Sequence, residues 1–200
     1  MTALPWPDKA YDDTTFEDIH ANGVTLDGVR FRDCSFVRCQ LSEATLARCR
    51  FSDCEFRECN LSLVTLTGSG FDGARFVDCK MVGIDWTRAH WPRIRMAQAI
   101  EFRRCTLNDD SFFGLDLSEF VLAECRALDV DFTEANCTDA DFQDSDLRDS
   151  VFARTRLAGA DFRGARNYRI DIFNNDIKRA RFALPEAVAL LASLDIELED

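Results

Sequence analysis

Between Phe31 and Met81 the chain repeats every five residues. Written in fives it reads FRDCS, FVRCQ, LSEAT, LARCR, FSDCE, FRECN, LSLVT, LTGSG, FDGAR, FVDCK, and Met81 opens the next unit. A bulky apolar residue begins each unit, and two residues before it stands a small or thin apolar one, most often cysteine. From Phe16 to Met96 the large position recurs without a break at 17 places, of which twelve are Phe or Leu and none is charged. A period of five fits neither the 3.6 of a helix nor the alternation of a long strand. Residues two apart share a side only in extended backbone, so each unit reads as a short strand-like face followed by a bend. If each bend turns the chain through about a right angle, four units of about 20 residues close one coil, and coils stack at about 4.8 Å through parallel ladder bonds. The expected fold class is therefore an all-β solenoid filled by layers of large and small side chains.

Thirteen of the 17 phenylalanines occupy the large position, which makes them a stacked core. Eight of the nine cysteines (Cys34, Cys39, Cys49, Cys54, Cys59, Cys79, Cys105, Cys125) occupy the small position and Cys137 a large one. In such slots a thiol acts as a small buried hydrophobe. No CxxC pair exists and only His20 and His90 could join a metal set, so neither disulfides nor a metal is expected, and no cofactor is implied. The N-terminus lacks a basic segment leading into an apolar run, and no stretch of 18 apolar residues occurs. A soluble, cytoplasmic protein without a membrane span is the expectation.

Three features depart from the repeat. First, after Met96 the next large position is Phe102, six residues on, which reads as one extra residue near Trp91 to Gln98. Pro92 lacks a ladder donor, so this segment is expected to bulge and to display Trp91, Pro92, Arg93, Arg95 and Met96, either as a tolerated defect or as a partner-binding loop. Second, from Asp109 to Asp149 there are 13 acidic residues and two basic ones. Coils of 20 place Asp109, Asp129 and Asp149 in one column, Glu119 with Asp139, Glu124 with Asp144, and Asp141 with Asp161. Stacked like charges repel, so these columns call for a functional reason or reflect a preference for Asp at bends. Third, the repeat fades after Ala165, and Leu184-Pro185-Glu186 begins a short helix that is apolar nearly all round. That helix, expected to be α, either caps the last coil of a monomer or buries Leu184, Val188, Leu190, Leu191, Leu194 and Ile196 in an isologous homodimer, with Ile196 and Leu198 in a trailing strand. The expected division is a lead-in over 1–13, the repeat region over 14–166 with its phase break near 91–99, and a cap and dimerisation segment over 167–200.

No catalytic constellation is visible: there is no nucleophile elbow, phosphate loop or HExxH. The net charge of −12 argues against a phosphate-binding surface, and so against direct nucleic-acid binding, and suits a partner that is basic or that itself binds DNA. It is equally the charge of a rod kept soluble.

The five-residue unit resembles that of the pentapeptide-repeat family, whose fold is a right-handed quadrilateral β-helix. The tail NYRIDIFNNDIKRARFALPEAVALLASLDIEL and the segment NLSLVTL are similar to the branch that protects DNA gyrase, the Qnr-like group, and most of all to its albicidin-resistance member. The resemblance implies a C-terminally joined dimer with the width and charge of B-form DNA. It implies DNA gyrase, or topoisomerase IV, as partner and a topoisomerase poison such as albicidin or a fluoroquinolone as the drug countered. A binding scaffold that never meets a topoisomerase is the alternative.

Overall fold

A computed structural model describes residues 6, 8–91, 100–194 and 196. They form a right-handed quadrilateral β-helix closed by a short helix. Three-residue strands carry their large residue inward and its neighbours outward, as in Arg30–Arg32 and Thr25–Asp27. All paired strands are parallel. One face runs Phe16, Phe36, Phe56, Phe76, Phe102 and Leu122, each directly above the last. Every step on it is 20 residues except Phe76 to Phe102, which is 26.

The bend of nearly every unit lies two residues after the large position, where φ is positive: Asp33 (50°), Asp129 (56°), Asp139 (54°) and Asp149 (59°) are examples. Left-handed backbone costs an L-residue roughly 1–2 kcal/mol, less for Asp and Asn, whose side chains bond locally, and nothing for Gly. That cost accounts for the Asp and Gly at many bends, though Arg, Glu and Leu63 occupy others. The corner N–H donates to a carbonyl of the next coil, as Asp129 does to Arg148 (3.0 Å), so the corner is part of the ladder.

Inside, aromatic rings stack along the axis: Phe36 on Phe56 (4.6 Å between centroids), Phe112 on Phe132 (5.5 Å), Phe142 on Phe162 (4.8 Å) and Phe162 on Phe182 (5.1 Å). All nine cysteines are free and buried. Cys39, Cys59, Cys79, Cys105 and Cys125 lie one above another, with the Cys105 N–H donating to Cys125 Sγ (3.3 Å) and the Cys125 thiol to the Phe102 carbonyl (3.5 Å). Burial pushes the Cys54 thiol up to about 12, which suits an inert core group. At the N-terminal end Trp6 packs edge-on against Phe16 and Phe31.

Two expectations need correction. The phase break is an insertion of six residues, not one. The ladder holds its 20-residue register up to His90, whose N–H donates to Ser69 O (2.7 Å), and resumes at Glu101 N–H to Ala74 O (3.0 Å) in a register of 26. Six and one leave the same remainder after division by five, so the periodicity alone did not distinguish them. The C-terminal helix Glu186–Leu194 is a 3-10 helix rather than an α-helix, with Val188 N–H donating to Pro185 O (3.1 Å). None of its residues is buried in this chain, so little packing enforces the wider α winding.

Candidate binding surface

The acidic residues of the second half fall into two kinds that differ by position in the unit. Those just before the large residue hold the turn: Asp116, Asp131, Asp141, Asp146 and Asp161 each accept, through Oδ1, the backbone N–H two residues on, as Asp141 does from Gln143 (2.9 Å). Several are also neutralised. Asp161, nearly buried, pairs with Arg163 (2.6 Å) and Arg181 (3.1 Å), and the Arg163 side chain holds its carboxyl below the usual range. Asp146 accepts from Asn167 Nδ2 (2.7 Å) and lies 3.5 Å from Arg166. The expected repulsion between Asp141 and Asp161 is therefore offset by arginines of the last coils.

The second kind occupies the positive-φ corners: Asp109, Glu119, Glu124, Asp129, Asp139, Asp144 and Asp149. All seven are exposed, and none pairs with a cation among the described residues. They line three of the four edges of the rod, Asp109, Asp129 and Asp149 on one, Glu119 and Asp139 on another, Glu124 and Asp144 on a third. On the fourth edge Glu134 is paired with Arg154 (2.6 Å). The carboxylates of Asp139 and Asp144 lie along the axis, over the Cα atoms of Gly159 and Gly164 in the next coil, where a Cβ would meet an oxygen at 2.0 Å. Of the nine acids that the columns of 20 name, seven, Asp109, Asp129, Asp139, Asp144 and Asp149 among them, are thus free corner groups, and two, Asp141 and Asp161, are committed to turns.

Charge is segregated along the axis. Residues 105–146 contain twelve acidic residues against Arg126, a net of −11, whereas residues 148–181 contain nine basic against four acidic. The five-residue pattern does not reveal this basic collar, because some of its members sit inside fading repeats. Asp110 is 1% exposed, in the small-residue slot ahead of Phe112. Its place in the repeat was the signal that could have found it.

Of the loop residues, Trp91 is half-buried against the core, and its indole N–H donates to the Trp86 carbonyl (2.8 Å). Pro92, Arg93, Arg95 and Met96 lie outside the described residues, as do Leu198 and most of the expected trailing strand. Of the tail residues, Leu184, Val188, Leu194 and Ile196 are exposed, at 79%, 43%, 37% and 52%, while Leu190 and Leu191 are half-buried. A cleft of about 800 Å³ separates Ala189, Ala192 and Ser193 of the helix from Val151, Ile170 and Phe173 of the rod. Among the described residues no cluster of His, Cys, Asp and Glu is able to hold a metal ion, and no helix is long and apolar enough to cross a membrane.

Residues 29–99 and 84–162 match the family model described as a pentapeptide repeat region. No curated protein sequence matches the chain. Among solved structures, HetL, a pentapeptide repeat protein involved in heterocyst differentiation regulation from the cyanobacterium Nostoc sp. strain PCC 7120, is 11% identical, with 88% of this chain and 87% of that chain covered and a TM-score of 0.55. A trypsin-treated form of QnrB1, a plasmid-mediated fluoroquinolone resistance protein, is 22% identical, with 96% and 92% covered and a TM-score of 0.43. A second trypsin-treated form is 19% identical, with 93% and 100% covered and a TM-score of 0.47. The likeness to HetL is one of fold.

Proposed function

This chain belongs to the pentapeptide-repeat family, and from that premise we propose that it is a DNA-like rod that binds DNA gyrase, or topoisomerase IV, and protects it from a poison such as albicidin or a fluoroquinolone. The observation that carries the reading is the belt of free corner carboxylates. Two coil rises, about 10 Å of axis, hold the seven exposed corner carboxylates. B-DNA carries one charge per about 1.7 Å, so the free corner groups come close to its axial density. A protein cleft shaped and charged for DNA attracts such a surface, and the unpaired corner groups need shed no cation first.

The belt steers the rod into the DNA-binding saddle, Trp91 and the arginines that follow it touch the enzyme, and the exposed tail residues join two copies end to end. Occupying or remodelling the drug-trapped complex then frees the enzyme. The rod itself needs no nucleic acid, cofactor or catalytic group for this, and it works in the cytoplasm beside its partner. The test is gyrase supercoiling under albicidin or a fluoroquinolone, with and without the protein. Rescue by the protein is expected with at least one drug, and failure with both, together with no capture of gyrase in a pull-down, would overturn the reading.

A further inference from the structure

The small-residue slots of one face run Val24, Ala44, Val64, Ile84, Asp110, Val130 and Ser150. A serine in such a slot accepts the N–H of the slot below and donates its hydroxyl to a carbonyl, as Ser150 does to Ala127 (2.7 Å). Ser69 Oγ accepts from Cys49 (2.8 Å), Ser145 Oγ from Cys125 (2.9 Å) and Ser150 Oγ from Val130 (3.1 Å). Asp110 Oδ1 performs the same duty for Ile84 (2.8 Å). A hydroxyl would have sufficed, without the cost of burying a carboxyl.

The second oxygen has a different use. Asp110 Oδ2 accepts the indole N–H of Trp86 (3.0 Å), a residue 1% exposed. Trp86 opens the 3-10 turn Trp86–Arg88, which stands where the other units have a positive-φ corner and which Asp85 caps by accepting from Thr87 N–H (3.1 Å). The Trp86 carbonyl accepts the indole N–H of Trp91 (2.8 Å). An unbroken chain of hydrogen bonds thus joins a buried carboxyl to Trp91, at the point where the ladder changes register.

We propose that Asp110 is a positioning residue: by holding the Trp86 indole it fixes the Trp86 carbonyl and so the place of Trp91 on the rod. The side chain acts through Trp86 and touches no partner. Its importance for binding rests on the reading above, in which Trp91 meets the topoisomerase, but its action on Trp91 does not.

The test uses the full chain and the indole N–H resonances of its three tryptophans, assigned with single Trp→Phe variants. D110S keeps the acceptor for Ile84 and loses the one for Trp86; D110N keeps shape and volume but leaves one acceptor for two donors. Both are expected to shift the Trp91 resonance and to speed its exchange with solvent, and the effect of D110S is expected to vanish in a W86F background. A folded D110S whose Trp91 signal matches the wild type would overturn the proposal, as would a D110S effect undiminished by W86F. Gyrase affinity, measured beside it, separates the two readings. A displaced Trp91 with unchanged affinity sinks the contact assigned to Trp91 and leaves the role of Asp110 standing.

Discussion

Asp110, Asp139 and Asp141 lie within one acidic stretch, yet their positions in the five-residue unit give them three unrelated tasks. In the small slot, Asp110 is desolvated, and burial pushes its carboxyl well above the ordinary value of 3.8; the neighbouring Asp109 adds to the rise, while the Ile84 and Trp86 donors oppose it. Between 3.8 and the raised value the folded chain holds a proton that the unfolded chain has released. Stability contributed by this group therefore falls as pH climbs through that window and levels off above it. Denaturant midpoints measured across acid to neutral pH are expected to show that decline, and D110N to remove its share of it. Asp139, at a corner, keeps its carboxylate over the Cα of Gly159, whose φ is +74°. Gly159→Ala is expected to cost about 1–2 kcal/mol from the left-handed backbone alone and to swing the Asp139 carboxylate away. Chemical denaturation reads the first effect and a crystal structure of the variant the second. Asp141 keeps a turn closed.

At the scale of the element, the insertion and the tail show where a periodic signal stops being informative. The repeat made the three-residue strands, the Phe stacks and the inward cysteines legible, because alternation about one large residue leaves an extended trimer a single way to face the core. It left the insertion length ambiguous, since the hydrophobic phase is counted only to the nearest unit while ladder bonds such as Glu101 to Ala74 count every residue. For the tail, the apolar run marked a helix, but its winding depends on what packs against it. In one chain nothing buries Leu190 or Leu191 fully. Replacing both by glutamate is expected to convert an end-to-end dimer to monomers in sedimentation experiments without unfolding the rod; an unchanged species would refute the dimer.

For the whole molecule, the net charge of −12 conceals an acidic belt followed by a basic collar, and the collar arginines reach back to Glu134, Asp146 and Asp161. What remains free is the set of corner carboxylates. The triple variant D129N/D139N/D149N is expected to abolish gyrase capture while leaving the thermal midpoint nearly unchanged, because Asn tolerates positive φ. D141A is expected to do the reverse, costing about 1 kcal/mol for a lost turn bond while binding persists. Rising salt is expected to weaken capture by the wild type steeply. The sequence by itself determined the solenoid, its core and the family, because a period of five admits one economical way to bury every fifth residue. Only the tertiary structure decided which carboxylates are free. Whether Glu134, Asp146 or Asp161 is met by an arginine of the next coil is set by residues 20 positions away in the chain, brought within reach by the stacking of coils.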